Sequence, residues 1–298
     1  MSVKNLSTDG LAISGRQSEA IELALSYQFK SMDLNLVEFS EQVEKHGIDH
    51  SRRLIDSARI SIGQFTLPIT WTQLEDDPPF ASELERLSKY AELAALLGCQ
   101  HCVTTIAPAS DELPYHENFE RHRQRLGEIA EVLAPHDVQL GLEFHAPARL
   151  RAGRAFEFVH SLDAAVTLAE SIPHENVGVV IDAWHCHVAE TKIEEIEKLT
   201  ATDIVSVYLS DTREGLNLDE ADEGDRLMPG ETGAIDGAAI LTALAGIGYA
   251  GPVSVRCSRT GLDSLGRHKL AQLAGERLNQ IWQEAGLTRD GTLALEAK

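Results

Sequence analysis

Glu143 and Asp182 each close a run of apolar residues. The first run, Val-Gln-Leu-Gly-Leu-Glu-Phe-His over 138–145, delivers Glu143 and His145. The second, Val-Gly-Val-Val-Ile-Asp-Ala-Trp-His-Cys-His over 177–187, delivers Asp182, Trp184, His185 and His187. Carboxylates and imidazoles in such positions can take a proton from a substrate, return one, or share a divalent cation. His185, three positions after Asp182, is a candidate acid, base or hydrogen-bond donor, with a satisfied core histidine as the plainer alternative. Trp184 could back a sugar ring or simply pack, and His145 could touch substrate, although structural duty is commoner for it and for His187. For both carboxylates the plain alternative is a helix cap or an ion pair with a nearby cation. Two strand ends with the same grammar favour chemistry over coincidence.

Continuous apolar character in both runs is what parallel strands buried on two faces require. Along the whole chain, strand-like runs are expected at 11–14, 31–39, 60–69, 101–107, 139–144, 177–182, 204–209 and 253–257. Helical runs are expected between and after them, at 17–27, 41–58, 82–97, 118–133, 162–171, 192–199, 238–245 and 268–285. Asp76, Asp77, Pro78 and Pro79 read as a loop, because paired prolines break either kind of element. Eight strands alternating with eight helices, with no shift of composition between them, predict an α/β fold: a single (β/α)8 TIM barrel over 1–298, with a tail fraying from about 288. A doubly wound open sheet is the competing arrangement, but no Gly-x-Gly-x-x-Gly follows the first strand.

The chain has 298 residues, of which 47 are acidic and 26 basic, a formal charge of −21. Phosphate backbones are bound by clustered Lys and Arg, so this balance argues against nucleic acid and against an anionic membrane surface. No apolar run reaches transmembrane length, and the first residues lack the apolar core of a signal peptide. Four scattered cysteines, Cys99, Cys102, Cys186 and Cys257, form no framework of pairs. A reduced, cytoplasmic protein is the expectation.

Four ordered motifs resemble the xylose isomerase-like TIM barrels, a family that includes sugar isomerases, ketose 3-epimerases and inosose dehydratases. They are Gly-Leu-Glu-Phe-His at 141–145, Ile-Asp-Ala-Trp-His at 181–185, Arg-Leu-Met-Pro-Gly-Glu-Thr-Gly-Ala-Ile-Asp at 226–236 and Ile-Gly-Tyr-Ala-Gly-Pro-Val-Ser-Val at 247–255. The resemblance implies one divalent metal held by a Glu, an Asp, a His and a second Glu from four strand ends. Glu143 and Asp182 match the first two positions. The third falls in Tyr208-Leu209-Ser210-Asp211, and the fourth on Arg256. Half of the implied shell is therefore replaced, and one ligand has become a cation.

A charge count gives this replacement a meaning. Three carboxylates, an imidazole and a dication carry the same formal charge as two carboxylates, a phenol and a guanidinium with no metal. Adding a dication beside Arg256 would bring like charges together in a low-dielectric pocket, at a cost of about several kcal/mol. The expectation is thus no cofactor, with Arg256 in the metal's place between Glu143 and Asp182. The alternative turns Arg256 aside to a surface acid and leaves one Mn, Mg, Co or Zn ion on Glu143, Asp182 and His185.

The functional expectation is a sugar or polyol isomerase, epimerase or dehydratase working by proton transfer next to a carbonyl. Glu143 would be the base, Arg256 and Arg226 would stabilise the enediolate oxygen, and Tyr208, Trp184 and His145 would contact substrate. Loss of the second Glu favours a one-base reaction such as dehydration. A salt bridge to the neighbouring acidic loop is the alternative for Arg226. That loop, 214–225, is expected to be solvated, or to act as a lid. The partner is a small polyhydroxylated substrate, and homo-oligomerisation is left open. A non-catalytic relative that binds a sugar or a partner protein is the competing class. A metal-dependent repair nuclease would need more His and Glu ligands and a basic face.

Overall fold

In a computed structural model of the protein, which describes residues 2–73, 79–288 and 291–292, a parallel sheet curls into a barrel. Its strands are β1 (Val3–Leu6), β2 (Ser31–Met32), β3, β4 (His101–Ile106), β5 (Gln139–Phe144), β6 (Val177–Asp182), β7 (Ile204–Leu209) and β8 (Pro252–Val255). β3 is split into Ser61–Ile62, which pairs with β2, and Phe65–Thr66, which pairs with β4. The two pieces sit at opposite ends of the hydrogen-bonded order and are joined only by Gly63 and Gln64, so β3 closes the barrel. Gly63 is required there, because a Cβ would collide with the Asn5 side chain inside the barrel.

Three expected elements change, one of them the helix expected over 41–58, which breaks at Gly47, in the left-handed region at φ 81°, into Leu36–His46 and Ile48–Ala58. The first strand is Val3–Leu6, and residues 11–14 instead form a turn folded back on Ser7 and Thr8, with Leu11 and Ile13 buried against the core. β1 was obscured because its fully buried inward residue is Asn5, a polar side chain where a strand pattern demands an apolar one. The alternation over 31–39 ends after two residues. Asn35 accepts a hydrogen bond from the Glu38 backbone and opens the helix Leu36–His46, so the apolar period is helical from there. A further short helix, Ala183–Val188, precedes Ile193–Ile196.

The remaining helices follow their strands as expected, with Phe80–Leu96, Tyr115–Leu133, Leu162–Ser171, Gly237–Gly246 and Arg267–Glu284 covering the outside. The apolar core lies between these helices and the strands. Inside the barrel a smaller group of Val103, Val180 and Tyr208 fills the space. The expected loop at Asp76, Asp77 and Pro78, and most of the expected fraying tail, lie outside the described residues. No described helix is long and apolar enough to cross a membrane. The four cysteines are buried and unbonded.

Candidate active site

Strand register sets the site. Asp182, the last residue of β6, lies opposite Tyr208 of β7, and Leu209 lies opposite Val255 of β8, so Arg256 leaves the barrel two residues above the level of Tyr208. Glu143 stands near the end of β5, opposite Thr105. The side chains of Glu143, Asp182, Tyr208 and Arg256 therefore meet at the C-terminal mouth. Arg256 donates through Nη1 to Asp182 Oδ2 at 2.8 Å and through both Nη1 and Nη2 to Glu143, the latter at 3.3 Å to Oε2. Its guanidinium carbon lies 3.6 Å from the centre of the Tyr208 ring. Arg256 bridges the two carboxylates. At 23% side-chain exposure it is also the member of the group most open to a ligand.

Asp182 is saturated. Only 1% exposed, it accepts from the backbone N–H groups of Trp184 and His185 at 3.0 and 3.1 Å, which caps the helix Ala183–Val188. It accepts also from Arg226 Nη1 at 2.8 and 3.0 Å, besides Arg256. Burial pushes its carboxyl up, but Arg226 foremost, with Arg256, outweighs burial and holds it well below the usual carboxylate range. Both plain alternatives, a helix cap and an ion pair, are thus true of Asp182 alongside its place in the cluster. Burial raises the Tyr208 phenol, which stays protonated and accepts from Gln64.

Arg226, 3% exposed, lies with its guanidinium carbon 4.6 Å from the centre of the Trp184 ring. Trp184 is fully buried in this packing. Besides Asp182, Arg226 donates to Ser210 Oγ at 3.2 Å and, through Nε, to Glu223 of the acidic loop. His185 is buried and its ring is held neutral, since desolvation lowers its pKa well below the ordinary value. Its Nδ1 accepts from the Ala146 N–H at 3.4 Å, which assigns the ring proton to Nε2. His145 stacks on it with ring centres 4.8 Å apart.

The metal shell implied by the resemblance does not fit these residues, because Tyr208 and Arg256 stand at two of its positions and every Asp182 oxygen already meets N–H donors. What the structure does bring within ligand reach is Glu143, His145 and His185, whose ligand atoms lie within 4.8 Å of one another. His145 here replaces Asp182 of the alternative ligand set. That group meets two obstacles: Glu143 is occupied by Arg256, and a metal on His185 Nε2 would turn a protonated Nδ1 against the Ala146 N–H. Metal-bound imidazoles ordinarily donate their second N–H to an acceptor.

The sequence reading missed a third carboxyl. Asp33 follows β2 as Glu143 closes β5, a signal that was available but hidden inside an apparent longer strand. Asn5 donates to its Oδ1 at 2.5 Å and Gln64 to its Oδ2 at 3.3 Å; burial raises its pKa to about 6. Gln64 also joins Tyr208 and Ser206, so one polar chain runs from β1 to β7 through the barrel. Asp211, beyond β7, is structural: it accepts from the backbones of Thr232, Gly233 and Ile235 and so holds the loop after Arg226.

Comparison with known proteins agrees with this fold. Residues 21–281 match the xylose isomerase-like TIM barrel family. An inosose isomerase of Bacillus velezensis is 25% identical over 247 residues, covering 76% of this chain and 84% of that protein. A solved xylose isomerase domain protein from Alicyclobacillus acidocaldarius superposes with a TM-score of 0.85 at 26% identity, covering 96% of this chain and 99% of the other. A solved IOLI protein with a bound zinc atom gives 0.78 at 19% identity, covering 95% and 98%.

Proposed function

The chain belongs to the xylose isomerase-like TIM barrel family, and from that premise we propose that it is an isomerase, epimerase or dehydratase of a small polyhydroxylated carbonyl compound, in which Arg256 does the electrostatic work of a metal. The observation that carries the proposal is the Arg256 fork across Glu143 and Asp182 with Tyr208 beneath it. Arg256 is the exposed member of the group, so a substrate carbonyl oxygen meets its N–H donors first. Those donors then leave Glu143 for the carbonyl, and the freed carboxylate takes the proton from the neighbouring carbon. Negative charge develops on the oxygen that Arg256 already contacts, which is where a fixed cation lowers the barrier. Asp182 positions both arginines, Tyr208 keeps the Arg256 plane level, and His185 donates from Nε2. Inososes head the substrate panel because of the named relative, with neutral ketoses and their carboxylated counterparts beside them.

Deuterium incorporation at the carbon next to the carbonyl, followed by NMR in D2O, is the test. Wild type is expected to exchange or dehydrate at least one panel member. Glu143→Gln and Arg256→Lys should each lose about 100-fold or more. No exchange with any ketone would favour the binding-only alternative.

A second reading follows from the Glu143, His145 and His185 group: a divalent ion on these three, with Arg256 swung outward. Elemental analysis and calorimetry with Mn, Mg, Co and Zn separate the two. The first reading expects weak or no binding by wild type and clear binding by Arg256→Glu/Tyr208→His, which restores three carboxylates and an imidazole. A full equivalent of tightly held metal in wild type establishes the second.

A further inference from the structure

Arg226 is used on one edge and half-empty on the other. Nη1 faces Asp182 and Ser210. The opposite edge, Nε with Nη2, is the two-donor fork that fits a carboxylate side-on. Glu223 takes Nε only, and Nη2 is buried with no hydrogen-bond partner among the described residues. A second unpartnered donor lies beside it: His185 Nε2, which carries the ring proton, faces Glu223 Oε1 at 3.4 Å without hydrogen-bond geometry. Leaving buried donors unmade is costly, about 1–3 kcal/mol each. These two are therefore groups awaiting an acceptor.

The acceptor now nearest comes from a different kind of place. Glu223 is 42% exposed and sits on a three-residue turn of the acidic loop, which Arg149 ties down through Asp222. An exposed carboxylate returns to water at little cost, whereas Arg226 and His185 cannot follow it. We infer that the Nε/Nη2 edge of Arg226 together with His185 Nε2–H is a carboxylate subsite, that Glu223 holds it as an internal stand-in, and that the substrate bears a carboxylate that displaces Glu223. The exchange leaves the formal charge of the cluster unchanged, since one carboxylate replaces another against the same two arginines, and the incoming group can fill both fork positions and the imidazole donor.

This subsite deepens the reading of the mouth as a substrate site, and it is tested by binding rather than turnover. The probes are gluconate and glucitol, which differ in one terminal carboxylate against a hydroxymethyl group. Titration calorimetry would compare wild type, Glu223→Ala and Glu223→Gln, all with an exposed site of substitution. Glu223→Ala should bind gluconate about tenfold or more tightly than wild type, Glu223→Gln should show a smaller gain, and glucitol should be unaffected. An unchanged gluconate affinity in Glu223→Ala, or an equal gain for glucitol, overturns the subsite. The gluconate gain without deuterium exchange on any ketone supports the subsite and removes only the catalytic reading. Exchange on neutral ketones without the gluconate gain removes the subsite and leaves the catalytic reading.

Discussion

Asp182 and Asp33 stand at or just beyond the ends of two strands of one barrel, the first buried and the second partly so, and their carboxyl pKa values are displaced in opposite directions. Asp182 is met by Arg226, Arg256 and two helix N–H groups, and it stays ionised far into acid. Asp33 is met by the neutral donors Asn5 and Gln64, and burial lifts it to about 6. The fold supplies each position with the same kind of strand end; the side chains arriving from other strands decide what it does. One half of the mouth is a fixed charge array, and the other keeps a carboxyl able to gain or lose a proton near neutrality.

The comparison breaks most severely if Asp182 loses its buried cation. Arg226→Met should cost about 3–5 kcal/mol in denaturant unfolding, because it leaves a buried carboxylate short of charge, and the Asp182 pKa should rise in NMR titration. A loss below about 1 kcal/mol, with Asp182 titrating as before, would mean that Arg256 alone suffices.

The two carboxyls also predict opposite pH dependence. A lowered pKa gives Asp182 stabilisation that is present above its unfolded value of about 3.8 and lost in stronger acid. A raised pKa gives Asp33 stabilisation that is present below about 3.8 and lost as pH rises through about 6. Asp33→Asn, neutral throughout, should therefore gain on wild type between pH 4 and 7, by no more than about 3 kcal/mol. Parallel stability curves for the two proteins over that range would show that Asp33 does not titrate there. Comparing the pair removes the background of the buried histidines, His185 among them, which act in the opposite sense.

The smallest effect concerns the link between the halves. Gln64→Leu should cost about 2 kcal/mol, since Tyr208 and Ser206 lose their partner, and it should push Asp33 higher still by removing a donor to its carboxylate. An unmoved Asp33 titration would show that the halves are independent.

Much of this was legible in the chain. Apolar runs ending in Glu143 and Asp182, the β/α alternation and the four motifs put the barrel and half of the charge array in view, because strand periodicity and local motifs are written in neighbouring residues. Arg256 and Tyr208 could be placed too, since each has its own motif to fix its register. The other half of the mouth has no such marker. Asn5, Asp33 and Gln64 come from three short strands, each too brief for a pattern, and the polar Asn5 disguises β1. Nor does an acidic loop tell which of its carboxylates turns inward.

The sequence by itself thus determined which side chains reach one half of the mouth, because a long apolar strand's polarity fixes where it ends. Only the tertiary structure decided which of them meet. Arg256 contacts residues 74 and 113 positions away, and Asn5 reaches Ser254 across 249. Barrel closure and strand register bring these together, and no local pattern encodes them. The same closure left Arg226 with one edge filled and one edge open, a state that depends on three elements arriving at once.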